Sequence, residues 1–181
     1  MIQHGLLGYY GKRPSSKRAS HQRSHLQVPE IALSLHPLPP VKPMTQASCK
    51  TTIKIPADAI WQAISDFGAA GHYLSGVVNC TFEGAGVGAL RTLTNADGSM
   101  VVERLEALDR DARQLSYALL TDTPFSNCLT TMTIRDLSPS RAELEWSATF
   151  QPTGIPASEA VEMLEGALAA NCLALKQFLD R

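Results

Sequence analysis

Seven short segments alternate apolar with polar residues, turn signals separate most of them, and one long amphipathic stretch follows, which leaves this chain few ways to fold. The segments are CKTTIKI, VVNCTFEG, GALRTLT, MVVERLEALD, QLSYALL, LTTMTIRDL and AELEWSATF. A period of two is the signature of a strand buried on one face. In the last segment Ala142, Leu144, Trp146, Ala148 and Phe150 share a side while Glu143 and Glu145 face the other way, which is one-sided burial of an antiparallel sheet. The turn signals are GAG, ADG, DRDA and SPS. After the first strand, Pro56 and ADAIWQAISDF take on helical spacing through Ile60, Trp61 and Ile64, and a short second helix is expected to carry His72 and Tyr73. From about Ser158 to Leu179 the stripe Val161, Leu164, Leu168, Cys172, Leu175 and Phe178 predicts the final helix. Ser158 is its expected N-cap, with Glu159 and Glu162 in the first turn. Sequential antiparallel strands that curl around one helix make an α+β architecture with a hollow between them.

One residue breaks the pattern. In SMVVERLEALD, alternation puts Glu103 on the face of Val101, Leu105 and Ala107, with Arg104 and Glu106 opposite. An unpaired charge on an apolar face is costly, so such a carboxylate has a partner, a wet cavity or a task. In GVGALRTL the same alternation groups Arg91 with Ala89 and Leu93. NADG between the two segments reads as a hairpin loop, which makes them antiparallel neighbours and Arg91 the expected partner. Two further polar groups fall on buried faces. Tyr117 alternates with Leu115 and Leu119, and Asn171 lies three residues after Leu168 and four before Leu175, so its amide faces the sheet.

Composition narrows the function. The chain has 181 residues, 44% hydrophobic and 18% charged, which suits one soluble domain with an attached tail. No segment is apolar for long enough to cross a bilayer, so integral membrane association is not expected. The basic residues Lys12, Arg13, Lys17, Arg18, Arg23 and Lys42 face Glu30 alone in residues 1–43; from Met44 onward the balance is −6. A slightly acidic body argues against a nucleic-acid binder. The tail, with GKRPSSKRASHQRSH and HPLPPVKP, has no periodic apolar face. Disorder, an organellar transit peptide and a start assigned upstream of Met44 are the three readings of residues 1–43; residues 44–181 are the folded domain. The expected location is cytoplasmic, or organellar if the tail is a transit peptide. Cys49, Cys80, Cys128 and Cys172 are widely spaced and form no CxxC, so neither a zinc site nor a disulfide framework is suggested. GAGVG joins two strands rather than opening a helix, so it reads as a hairpin turn and not as a phosphate loop.

The order GHYLSGVVNCTFEG, GVGALRTL, ADGSMVVERLEALD, QLSYALL, SPSRAELEWSATF and LEGALAANCLALKQF resembles the SRPBCC superfamily, also called START-like or birch-pollen-allergen-like. The polyketide cyclase/dehydrase-like branch is the most similar, and GxxR followed by ERLExLD is the most specific part of the match, which spans Ser48 to Phe178. The resemblance implies a helix-grip fold, a seven-stranded antiparallel sheet wrapped around the C-terminal helix with an internal ligand cavity. In lachrymatory-factor-synthase-like enzymes an arginine and a glutamate at the positions of Arg91 and Glu103 serve the chemistry. In plant abscisic-acid receptors the matching arginine, glutamate and helix asparagine, here Asn171, are polar cavity residues. The receptor pattern is broken by Leu74 in place of a lysine, by the short loop NADGS and by Thr123, Pro124 and Phe125 at the latch, which argues against hormone reception.

Arg91 and Glu103 are therefore the expected catalytic pair, with Tyr117, Asn171, Trp146 and Phe125 as expected ligand contacts. Each has a plainer reading beside it. The ion pair can be structural only, Tyr117 and Asn171 can be satisfied within the core, and packing is the favoured reading of Trp146. Trp61 and Phe67 are read as core, and His72 and Tyr73 as a solvated surface near the cavity mouth. In the catalytic reading Arg91 holds an oxygen or developing enolate while Glu103 moves a proton, which requires no cofactor and no metal. The expected partner is a small hydrophobic molecule. It is met either by a cyclase, dehydratase or isomerase, or by a carrier or sensor, with a chaperone-like module as a third class; fold alone does not choose among them.

Overall fold

The computed structural model describes residues 43–181; the sequence expectations for residues 1–42 lie outside the described residues. Strands β1 (Thr45–Ile53), β2 (Val77–Glu83), β3 (Leu90–Asn95), β4 (Met100–Asp109), β5 (Gln114–Leu119), β6 (Phe125–Ser138) and β7 (Arg141–Pro152) form a seven-stranded sheet in the order β1-β7-β6-β5-β4-β3-β2. Every pairing is antiparallel. Strands β2 to β7 follow one another as hairpins. β1 then closes on β7, so the two ends of the sheet are the first two strands of the chain. Helix α1 (Ala57–Ser65) and a 3₁₀ turn (Phe67–His72) connect those two ends, and helix α2 (Ala157–Leu179) packs against β1 and β7.

The alternation seen in the sequence sets which face is buried. Ala142, Leu144, Trp146, Ala148 and Phe150 of β7 are essentially inaccessible, and Leu115, Met132 and Ile134 extend the same face across β5 and β6. Ile53, Ile60 and Ile64 cover it from β1 and α1, and Leu168, Cys172 and Leu175 from α2. On the outer face Glu143 and Glu145 pair with Arg135, and Glu145 also with Lys50; such exposed pairs contribute little stability. The NADG loop is the expected turn. The Asn95 N–H donates to the Ser99 carbonyl, and Gly98 takes a φ of 84° that a side chain would strain.

Three local expectations are corrected. The strict alternation of β4 fails after Leu105, where the register shifts against β5: Ala107 is exposed, and Leu108 packs toward the core instead. An inserted residue reverses the facing of every later residue in the strand, and a periodicity count over the whole run misses this. Ser158 is not the cap of α2. Pro156, with φ −59° and ψ 147°, is the last extended residue, and its carbonyl already accepts the Ala160 N–H. Pro56 opens α1 in the same way, since a proline ahead of a helix surrenders only an N–H that has no intrahelical partner. Finally Tyr73, expected at a solvated surface, is only 3% exposed, because the 3₁₀ turn ends at His72 and drops the next side chain against Phe178, ring centroids 6.4 Å apart.

The contact of α2 with the sheet rests on side chains of the inner stripe. Leu175→Ala is expected to lower stability by about 2–5 kcal/mol, the usual cost of emptying a buried leucine site, whereas Leu173→Ala on the outer face should stay within about 0.5 kcal/mol of wild type. Urea denaturation of the two variants measures the difference.

Candidate functional site

Arg91 and Glu103 are directly opposed in the β3–β4 ladder, and their side chains emerge on the buried face. Arg91 Nε donates to Glu103 Oε2 at 2.6 Å. The rest of the guanidinium is also committed. Its Nη1 donates to the Phe67 carbonyl at 3.2 Å, and its Cζ lies 4.0 Å from the Phe67 ring centroid and 4.7 Å from that of Tyr117. The two rings, their centroids 5.9 Å apart, pack against one desolvated cation from adjacent sides, and these cation–π contacts help hold the charge without water. Arg91 is 2% exposed, and it lies behind the cavity wall rather than on it.

Glu103 is the part of the pair that meets open space. A cavity of about 330 Å³ lies between the inner face of β3–β5 and α2. Leu93, Val101 and Leu119 line it from the strands, Leu74 and Val77 from the segment after the 3₁₀ turn, Phe125 from the start of β6 and Leu164 from α2. Its polar wall is made by Glu103, Tyr117, Asn171, Asn95, Ser75 and Thr123. Glu103 Oε1 accepts no hydrogen bond among the described residues. Tyr117 Oη accepts the Trp146 Nε1 proton at 3.0 Å, which leaves its own hydroxyl proton without an acceptor among the described residues. Asn171 Oδ1 accepts the Ser75 N–H at 3.0 Å; this joins α2 to the segment after the 3₁₀ turn and leaves the NH₂ of Asn171 without a partner among the described residues.

Of the residues expected from sequence, Glu103, Tyr117, Asn171 and Phe125 thus share one cavity wall, and Arg91 and Trp146 stand behind it. Trp146 is fully buried and reaches the cavity only through Tyr117. Phe125 is held by the Phe150 ring, edge-on at 5.3 Å, at the beginning of a strand that starts four residues before the alternating run LTTMTIRDL; a register shift between Ser126 and Leu129 hid that start. Tyr73 was missed. Burial raises its phenol pKa and the charge of nearby Arg91 works against that, and nothing in the local pattern GHYLS predicts that a residue after a short 3₁₀ turn points inward.

Electrostatics follow from this burial. Desolvation pushes the Glu103 carboxyl above the ordinary carboxylate range, even though Arg91 pulls in the opposite direction. Burial also works against the Arg91 charge, but Glu103 and the two tyrosines outweigh it and hold the guanidinium protonated. Burial first, and then the charge of Glu103, raise Tyr117 so that its hydroxyl stays neutral. The same logic holds two of the thiols protonated: burial raises Cys128, and burial together with neighbouring Cys49 pushes Cys172 up to about 12. Among the described residues no group of three or more His, Cys, Asp or Glu side chains is placed to hold a metal ion.

A carboxyl raised by folding takes up its proton more readily in the native state than in the unfolded chain. The stability tied to that proton is complete below the unfolded value near 4.5 and is lost as pH rises through the higher folded value. Wild type is therefore expected to lose stability relative to Glu103→Gln as pH is raised from 4.5 toward neutrality. Denaturation curves of both proteins across that range check the sign, and a relative gain for wild type would contradict the burial argument.

Residues 44–181 match the family model described as polyketide cyclase / dehydrase and lipid transport. No curated protein sequence matches this chain. Among solved structures, the protein XoxI from Bacillus cereus is 27% identical, with 75% of this chain and 96% of that one covered and a TM-score of 0.69. Norcoclaurine synthase from Thalictrum flavum, in complex with dopamine and hydroxybenzaldehyde, is 19% identical over 76% of this chain and 87% of its own, with a TM-score of 0.63. The Zhui aromatase/cyclase from a Streptomyces species is 19% identical over 75% and 91%, with a TM-score of 0.60. At such identities the two enzymes share the fold with this chain, an open seven-stranded antiparallel sheet with a long C-terminal helix. The strand order, the helix and the family model agree: the chain belongs to the polyketide cyclase/dehydrase and lipid transport family, within the helix-grip SRPBCC superfamily.

Proposed function

We propose that this protein binds a small, largely apolar molecule in the cavity beside Glu103 and acts on it as a cyclase, dehydratase or isomerase that needs no cofactor. The observation that carries the proposal is a buried carboxyl with one oxygen anchored by Arg91 and the other open to an apolar cavity. A base with a raised pKa works at neutral pH without being a strong base, and its fixed orientation removes the cost of aligning it in the transition state. Glu103 takes a proton from a carbon next to a carbonyl, or from a hydroxyl, and returns it to a neighbouring atom of the same molecule. The negative charge that develops on the carbonyl oxygen is met by donors on the wall, the Tyr117 hydroxyl and the Asn171 amide. Arg91 touches no ligand in this scheme. It positions Glu103 and keeps the site as a whole neutral while the proton is away.

The relatives support a small ligand. One fold neighbour is an aromatase/cyclase, and another was solved with dopamine and hydroxybenzaldehyde. A cavity of about 330 Å³ also lies at the small end of the roughly 300–1,000 Å³ range of ligand pockets. The family description includes lipid transport, and the apolar lining favours a second reading in which the same polar pair only orients a carried molecule.

The two readings separate experimentally. With enolisable, polyketide-like carbonyl compounds as substrates, Glu103→Gln is expected to lower kcat by roughly 10²–10⁴-fold while the ligand dissociation constant stays within a few-fold, the signature of a lost general base. Turnover unchanged in the variant would remove Glu103 from the chemistry. A ligand that raises the melting temperature of the wild type, with no turnover of any substrate, would favour the carrier. Native mass spectrometry of the protein as isolated identifies any retained molecule.

A further inference from the structure

Resting on the cavity reading above, we propose that the site selects uncharged ligands that present a hydroxyl or N–H donor to Glu103, and that it rejects carboxylates and ammonium ions alike. The inference starts from charge accounting at the wall. Among the described residues Glu103 is the only acidic or basic one lining the cavity. The cation that would meet a ligand carboxylate is Arg91, and it is already spent: Nε is on Glu103, Nη1 is on the Phe67 carbonyl, the Phe67 and Tyr117 rings pack against it, and it is 2% exposed and absent from the cavity wall. An anion in the cavity would therefore face a carboxyl group with no reachable counter-charge. An ammonium ion fares no better, since Arg91 and Glu103 already neutralise one another and a further cation would find no carboxylate of its own among the described residues.

What the wall offers is one charged acceptor, and its donors are all neutral. Glu103 Oε1 has no donor among the described residues, whereas the Tyr117 hydroxyl proton and the Asn171 NH₂ are available. A ligand without a donor leaves Oε1 unpaired, and a buried charged acceptor left unpaired is the costlier half of any hydrogen-bond mismatch. Tyr117 illustrates the field, because the charge of Glu103 adds to burial in keeping that phenol neutral. A carboxylate on a ligand in the same place meets the same two penalties.

Four compounds on one skeleton test this on the full-length protein by isothermal titration calorimetry at neutral pH: 2-naphthol, 2-methoxynaphthalene, 2-naphthoate and 2-naphthylmethylamine, the last as its ammonium form. We expect 2-naphthol to bind tightest, 2-methoxynaphthalene about tenfold weaker for want of the donor, and the two ions weaker still. In Glu103→Gln the advantage of the naphthol over its methyl ether should shrink, and the wild-type ranking stands by itself if that variant folds poorly. Naphthoate or the ammonium compound binding within about threefold of the naphthol, or the ether binding as well as the naphthol, would overturn the selectivity and leave the cavity reading intact. A cavity-filling Leu119→Trp variant separates the other failure: naphthol affinity unchanged in it, or none of the four compounds binding wild type, would overturn the cavity reading and the selectivity with it.

Discussion

A guanidinium and a carboxylate held 2.6 Å apart on the buried face of a sheet oblige the surrounding structure to satisfy both. Removing two charges from water costs several kcal/mol per ion, and their mutual attraction offsets this only when every remaining hydrogen-bonding group finds a partner. Here the 3₁₀ turn supplies the Phe67 carbonyl and the Phe67 ring, β5 supplies the Tyr117 ring, and the residue after the turn supplies Tyr73. β7 then supplies Trp146, whose indole N–H fixes the Tyr117 hydroxyl. Elements that are distant in sequence are thus tied to one hairpin by the need to bury a charge.

That arrangement is asymmetric, and the proposed function rests on the asymmetry. The arginine is enclosed by the groups named above, while the glutamate borders a cavity whose other lining is mostly apolar. A purely structural pair gains nothing from such an opening, since a well-packed apolar replacement would be as stable. The opening is maintained by α2, which approaches the sheet closely at β1 and β7 and leaves the β3–β5 side uncovered except through Leu164, Asn171 and their neighbours. Asn171 joins the helix to Ser75 across that gap. The cavity is the consequence of a helix gripping one half of a curled sheet and bridging to the other.

Much of this was legible beforehand, for a definable reason. Period-two alternation depends on backbone geometry alone, so the facing of Arg91, Glu103, Tyr117 and the whole of β7 could be read from spacing. The helical stripe placed Asn171 toward the sheet on the same grounds. The readings that failed each involve a departure from regular geometry: the register shift that turns Ala107 outward, the proline that starts α2 before Ser158, and the 3₁₀ turn that carries Tyr73 inward. Periodicity holds no information about where periodicity is interrupted.

Local covalent geometry therefore decided, from the order of residues alone, that strands and one amphipathic helix would form and that a glutamate and an arginine would face the same interior. Which of those two charges borders the cavity was decided only by tertiary packing. The enclosure of Arg91 comes from Phe67, 24 residues earlier, and from Tyr117 on the far strand, and the opening beside Glu103 comes from where α2 crosses the sheet. Such placements arise from the packing of whole elements, whose energies are shared among many side chains and leave no repeat in the sequence. Alternation marks a buried charge, but the walls that close on one side of it and open on the other belong to the fold.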